Sequence, residues 1–181
     1  MRLVVLRHGQ TDLNKNFLYN GQTEEDINEE GIKQAKEAAK TLSDSHFDKI
    51  YCSPLNRTKH TCSIVNSKNQ EVIYDDRIKE RTLGEYDGKD LSKTKYDLSK
   101  HCDYYFKQVG EGVENLPDLF KRVHSFLDDV ISSNGKDDTI LIVTHGGVMR
   151  AIYFYFEEMP KDGDLSFYQA KNCEINVYEI L

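Results

Sequence analysis

The chain is short of positive charge: 24 lysines and arginines stand against 31 aspartates and glutamates, a formal net charge of −7 over 181 residues. That balance argues against a general nucleic-acid binder and against docking on anionic lipid. An anionic ligand must then be held by a local cationic pocket working against the overall field. Long apolar runs are also missing. Between Arg2 and Arg7 lie only Leu3-Val4-Val5-Leu6, and the run around Ile140–Val143 is no longer. Both are strand-length, too short for a signal peptide core or a membrane span, so a cytoplasmic, non-membrane protein is expected. The four cysteines (Cys52, Cys62, Cys102 and Cys173) have no C-x-x-C spacing and read as reduced, mostly buried thiols. No H-x-H or H-x-x-x-H spacing occurs, and Arg7 beside His8 would repel a divalent cation, so no metal site is expected. Gly110-Glu111-Gly112 follows no strand and is not a dinucleotide loop; no cofactor is implied. With no repeat, linker or low-complexity tract, residues 1–181 read as one domain, large enough to bury a core without disulfides.

What is present is a series of strand, loop and helix units. Leu3–Leu6, Phe47–Cys52 and Thr139–Thr144 read as apolar, buried strands, Glu71–Tyr74 as a short strand, and Glu174–Ile180 alternates as a last one. Asn28-Glu29-Glu30 opens a helix carrying Ile32, Ala35, Ala39 and Leu42 at helical spacing. Ser53-Pro54 reads as N-cap and first residue of a helix with Leu55, Thr58, Cys62 and Val65 on its buried stripe. Asn115 should cap a strong helix from Leu116 to Val130, ended by Asn134-Gly135, and Val148–Phe156 is helical. The expected class is α/β: a three-layer sandwich with a mostly parallel sheet. From Arg81 to about Gly112 the periodicity fails, so residues 81–114 read as a small irregular cap excursion.

Two strands end in histidine followed by glycine, Arg7-His8-Gly9 and Thr144-His145-Gly146. Ligands in open parallel sheets bind beyond the carboxyl ends of the strands, so the fold itself brings both histidines to one edge. A third strand end delivers Arg57 at a helix start, and Ile78-Lys79-Glu80-Arg81 can deliver a carboxylate to the same edge. Two imidazoles, two guanidiniums, an acid and a helix N-terminus suit a phosphate: guanidiniums fork onto its oxygens, and free helix N–H groups favour the same anion. An imidazole held between arginines is kept neutral by like-charge repulsion, leaving a lone pair for attack on phosphorus. The other histidines (His46, His60, His101 and His124) read as solvated or packed, and Lys93–Lys100 as a solvated face.

These segments together resemble the histidine phosphatase superfamily, the phosphoglycerate mutase-like family. The resemblance rests on Leu6-Arg7-His8-Gly9-Gln10-Thr11 with Asn14, and on Tyr51-Cys52-Ser53-Pro54-Leu55-Asn56-Arg57-Thr58. It continues through Glu80-Arg81-Thr82-Leu83-Gly84-Glu85-Tyr86-Asp87-Gly88, Gly112-Val113-Glu114-Asn115 and Val143-Thr144-His145-Gly146-Gly147, in the family's order over nearly the whole chain. It implies a phosphohistidine mechanism with His8 as nucleophile, Arg7, Arg57 and His145 as phosphate pocket, and Glu80 as proton donor. Asn14, Asn20, Gly21 and the Gly146 backbone fall where family members hold phosphate or substrate. Leu18 stands where relatives often have arginine. The paired arginines of the mutases have no counterpart, since the excursion offers Lys93, Lys95, Lys100 and Lys107 instead. Within the family, these absences favour a phosphatase acting on a small phosphorylated metabolite, similar to α-ribazole phosphatases and broad-specificity relatives. A phosphomutase, or a non-catalytic phosphate-binding module, is the alternative.

Overall fold

A computed structural model describes residues 1–180. Five strands, β1 (Arg2–Arg7), β2 (Lys49–Cys52), β3 (Val72–Tyr74), β4 (Thr139–Thr144) and β5 (Ile175–Glu179), form one sheet in the order β3-β2-β4-β1-β5. The first four are parallel, and β5 joins antiparallel beside β1. Alternation along the strands makes the layers. Leu3, Val5, Ile140 and Ile142 pack on α4 (Leu116–Ser133) and α5 (Gly146–Phe156). Val4, Leu6, Leu141 and Val143 pack on α2 (Glu29–Thr41) and α3 (Asn56–Val65). Each of these side chains is at most 2% exposed, and burial of one such side chain stabilises by about 1.5–3 kcal/mol. The strand ends differ from expectation by a few residues, as frayed element ends do. A four-residue helix, α1 (Asp12–Lys15), is an addition; Thr11 caps it reciprocally with Asn14. Among the described residues no helix is long and apolar enough to cross a membrane. All four cysteines are free, Cys52 and Cys62 buried and the other two half-buried.

Two expected caps are corrected. α3 begins at Asn56 with Leu55 at the cap position and no side-chain cap, so Ser53 and Pro54 stand outside the helix. Ser53 is drawn inward by His145, while the Thr58 hydroxyl bonds the Leu55 and Ser53 carbonyls at 2.6 and 2.8 Å and closes the turn instead. Asn115 does occupy the cap position of α4, but its Oδ1 accepts from the Gln108 N–H at 2.9 Å, anchoring the excursion rather than the helix. Residues 81–114 hold three short 3₁₀ turns around their own cluster of Leu83, Tyr86, Leu91 and Tyr96, and a Leu83–Val113 bridge joins the two ends.

One close approach sets the site. The Asn28 side chain caps α2 by accepting from Gly31 N–H, and Gly31 lies against the loop after His8. A Cβ on Gly31 would fall 2.3 Å from the Gln10 carbonyl oxygen, and one on Gly9 would fall 2.5 Å from the Gly31 carbonyl oxygen. Only two glycines allow the backbones to meet this closely.

Candidate active site

The carboxyl end of β1, the loop after β3 and the start of the helix after β4 open into a cavity of about 440 Å³. His8 follows β1. Its N–H bonds the Thr144 carbonyl at 2.9 Å, and its carbonyl accepts from Cys173 N–H and Asn172 Nδ2, both at 3.2 Å. Its Nδ1 lies 2.7 Å from the Gly9 carbonyl oxygen, so Nδ1 carries the proton and Nε2 holds the lone pair. The ring is 2% exposed. Burial foremost, then the charges of Arg57 and Arg7, hold its pKa well below the ordinary histidine value. Like-charge repulsion is thus the second cause of the neutral ring, not the first.

His145 follows β4 and stands at the position before α5, its ring making no cap to the helix. Its ring centroid lies 5.2 Å from that of His8, and its Nε2 lies 2.7 Å from Ser53 Oγ. It too is pushed well below the ordinary value, by burial and then Arg57, His8 and Arg7. Arg57 sits in the first turn of α3, with Nη1 donating to the Thr23 carbonyl at 2.8 Å and Nη2 to the Gly21 carbonyl at 2.6 Å. Burial brings its pKa down to about 10, so it stays cationic at neutral pH. Arg7 donates through Nη1 to the Ala170 carbonyl at 2.6 Å, and burial lowers its pKa as well.

These residues leave three buried nitrogens without a hydrogen-bond partner: Arg7 Nε, Arg57 Nε and His145 Nδ1. An unmade buried hydrogen bond costs about 1–3 kcal/mol, and all three nitrogens belong to residues that neighbour His8. Arg7 Nε faces the first residue of α5: a Cβ on Gly146 would lie 3.4 Å from it. Arg7 and His8 line the cavity, whereas Arg57 and His145 are fully buried and are not among its lining residues.

Glu80 reaches the cavity from the loop after β3. Its Oε1 accepts from Arg81 N–H at 2.8 Å and its Oε2 from Gly147 N–H at 3.1 Å. A Cβ at Gly147 would fall 2.3 Å from Oε1, so any larger residue there would push the Glu80 carboxylate from its place over the start of α5. Arg122 of α4 clamps this loop, donating to the carbonyls of Arg77, Lys79 and Glu80 while pairing with the Glu114 carboxylate at 2.6 and 2.8 Å. Glu85 and Asp87 brace turns. Glu85 accepts from Glu111 N–H, and Asp87 accepts from Leu83 N–H, Gln22 N–H and the Thr82 hydroxyl.

Asn14, Asn20, Gly21 and Gly146 all line the cavity. Asn20 donates to the Thr11 hydroxyl at 2.9 Å, and Asn14 accepts from Asn172 at 3.1 Å. Among the described residues no group of three histidine, cysteine, aspartate or glutamate side chains could hold a metal ion. Lys93 and Lys100 pair with Asp90 and Asp103, and the cavity lining contains neither. Ser53, Gly147, Arg122 and Arg150 are contributors that sequence reasoning missed. Helical spacing offered a signal for Arg150, which lies one turn beyond Gly146 and so on the same face. Ser53 offered none, because Ser-Pro before a helix is also an ordinary cap.

Residues 3–181 match the family model of the histidine phosphatase superfamily (branch 1). The chain is 33% identical to phosphoserine phosphatase 1 of Hydrogenobacter thermophilus over 186 aligned positions, covering 100% of this chain and 86% of the relative. A mycobacterial glucosyl-3-phosphoglycerate phosphatase, solved with VO3, superposes with a TM-score of 0.85 at 26% identity, covering 97% of this chain and 91% of the other. An α-ribazole-5'-P phosphatase from Escherichia coli, described as putative, superposes at 0.85 with 25% identity over 98% of this chain and 89% of its own. The chain belongs to the histidine phosphatase superfamily, with the α/β sandwich that its sequence resemblance implied.

Proposed function

We propose that this phosphatase hydrolyses a small phosphomonoester through a phosphoryl group carried on His8 Nε2. The observation that carries the reading is the neutral His8 lone pair beside three unpartnered buried donors. The transferring phosphoryl oxygens accept from Arg7 Nε, Arg57 Nε and His145 Nδ1, with Asn14, Asn20, Gly21 and the Gly146 backbone around them. These donors are held in place before the reaction, so they stabilise the developing charge without reorganising. His8 Nε2 bonds to phosphorus as the ester P–O bond breaks, and Glu80 gives its proton to the departing oxygen. Water then attacks the phosphohistidine, Glu80 takes the water proton, and the P–N bond breaks to release phosphate and restore His8. Throughout, the proton remains on Nδ1, donated to the Gly9 carbonyl oxygen, and that hydrogen bond stabilises the cationic phosphoimidazole.

Residues 81–114 act as a cap insertion on a single domain in this reading, since they contribute Arg81, Leu83, His101 and Cys102 to the cavity wall. The enzyme is cytoplasmic and metal-independent, as arginines already supply the positive charge. The VO3 complex of the mycobacterial relative supports vanadate as an inhibitor. Turnover of p-nitrophenyl phosphate should survive EDTA. Alkaline quenching during turnover of a ³²P-labelled substrate should trap a base-stable, acid-labile phosphoenzyme. A full phosphoenzyme signal from His8→Ala would overturn the assignment.

A further inference from the structure

Three residues of the site meet one short segment far along the chain, the approach to β5. The Ala170 carbonyl accepts from Arg7 Nη1 at 2.6 Å and the Glu174 carbonyl from Arg7 N–H at 3.1 Å, while Cys173 N–H donates to the His8 carbonyl at 3.2 Å. Cys173 has a φ of 54°, in the left-handed region that residues with a side chain seldom adopt. At that bend its own N–H and the Asn172 side chain reach the same His8 carbonyl. Asn172 Nδ2 gives one hydrogen to that carbonyl at 3.2 Å and the other to Asn14 Oδ1 at 3.1 Å. A carbonyl only accepts, so the His8 carbonyl decides which end of the Asn172 amide is the nitrogen. Asn14 has the reverse arrangement. Its Oδ1 accepts twice, from Asn172 and, at a longer 3.3 Å, from the Thr11 N–H. Its Nδ2 has no partner among the described residues, and Asn14 lines the cavity. An amide can present either end to a ligand, and only its nitrogen end donates to a phosphoryl oxygen.

We propose that Asn172 is a positioning residue: by donating to Asn14 Oδ1 it fixes which end of the Asn14 amide meets the transferring phosphoryl group. This rests on the phosphatase reading, in which Asn14 stands beside the transferring oxygens, and it adds a residue that acts through Asn14 rather than on the substrate. The order of dependence runs in one direction. The His8 carbonyl orients Asn172, Asn172 orients Asn14, and Asn14 is left with its two Nδ2 hydrogens unspent. Without Asn172 the orientation rests on the single long bond from Thr11, and the amide is free to turn its oxygen toward the ligand. That turn sets one acceptor against another and removes a donor from the pocket. The nucleophile's own backbone thereby sets the polarity of a neighbouring phosphate contact, through a residue 164 positions away.

The test is a double-mutant cycle read on p-nitrophenyl phosphate turnover and on inhibition by orthovanadate. Asn172→Leu, close to asparagine in size, should lower kcat/KM and weaken vanadate inhibition by about 3- to 10-fold, the range of one hydrogen bond. In an Asn14→Ala background the same replacement should cost less than about 2-fold, because the amide it orients is gone. Asn172→Asp should cost more than Asn172→Leu, since an acceptor there draws Asn14 Nδ2 to itself and turns Oδ1 toward the phosphoryl oxygens. Its added charge persists in the Asn14→Ala background, so the cycle subtracts it. Should Asn172→Leu fail to fold, the aspartate pair carries the cycle alone. The ¹H–¹⁵N shifts of the Asn14 side-chain amide read the same contact without turnover. They should move when orthovanadate is added to the unaltered protein and stay fixed in Asn172→Asp. Equal losses in both backgrounds overturn the proposal and leave Asn172 a fastener of the His8 carbonyl alone, and Asn14 shifts unmoved by vanadate in the unaltered protein overturn it as well. Absence of p-nitrophenyl phosphate turnover in the unaltered enzyme, with the vanadate-induced shift present, would instead refute the phosphatase reading and uphold the orientation of the amide.

Discussion

Replacing Ser53 by alanine should slow the enzyme while leaving it folded. Ser53 and His145 are both fully buried, and the Oγ–Nε2 distance is 2.7 Å. For His145 Nδ1 to donate to a phosphoryl oxygen, the proton of the neutral ring must sit on Nδ1, and Nε2 must then accept from the serine hydroxyl. Alanine removes that donor. The ring is left with an unsatisfied buried nitrogen, and the Nδ1–H tautomer loses the contact that selects it. The cost of such an unmade bond is about 1–3 kcal/mol, or roughly 5- to 150-fold in kcat/KM at about 1.4 kcal/mol per decade. Turnover of p-nitrophenyl phosphate reads the rate, and ¹⁵N shifts of labelled histidine read which ring nitrogen bears hydrogen. Ser53→Thr, which keeps the hydroxyl, should recover a large part of the loss. Full activity in Ser53→Ala would refute the reasoning, and so would a slowed variant whose His145 ¹⁵N shifts match those of the unaltered protein.

Three further outcomes are expected. Glu80→Gln should reduce single-turnover phosphorylation by an alkyl phosphate by roughly 10²–10⁴-fold, and by an activated aryl phosphate much less; equal small losses would place the acid elsewhere. Stability should fall on acidification below about pH 6.5, because the unfolded chain protonates its histidines there while native His8, His145 and His101 resist. Between pH 7.5 and 5.5 each should cost about 1.4 kcal/mol, roughly 4 kcal/mol together, read from urea midpoints; a flat profile would contradict those depressed values. Phe126, wholly buried and edge-on to Tyr51 at 5.3 Å, should cost about 3–5 kcal/mol when cut to alanine, with an unchanged urea slope; a loss under 1 kcal/mol would mean that the core closes over the void.

The sheet was legible because each central strand is an uninterrupted apolar run closed by a chemically distinctive residue. Leu3–Leu6 ends in Arg7-His8, and Ile140–Val143 leads to His145, so strand position and active-site position were one observation. Glu80 was legible through its offset from β3, although not the glycine at 147 that makes room for it. What escaped depends on groups distant in the chain. Ser53 meets a histidine 92 residues away, and nothing local separates that from a helix cap. Arg150 is tethered by the Tyr168 carbonyl and faces Tyr19 and His101 from two other segments, so its environment exists only after folding. His101 was read as solvated or packed; it is packed, in the cavity wall, through the Tyr96 hydroxyl at 2.9 Å.

The neighbours of β1 also govern the order in which the protein can be made. Among the strands of the sheet Arg2–Arg7 is synthesised before the others, yet β4, its parallel partner, begins at Thr139, and β5, on its other edge, begins at Ile175. Until those residues emerge, Leu3-Val4-Val5-Leu6 is an apolar strand with both edges unpaired, the kind of segment that recruits unwanted neighbours. Pairing it later requires closing a loop of most of the chain, a slow event for a topology so rich in distant contacts. His8 therefore follows a strand that is made before its partners and is among the last to be locked in, and a nascent chain arrested before β4 carries His8 without the pocket around it.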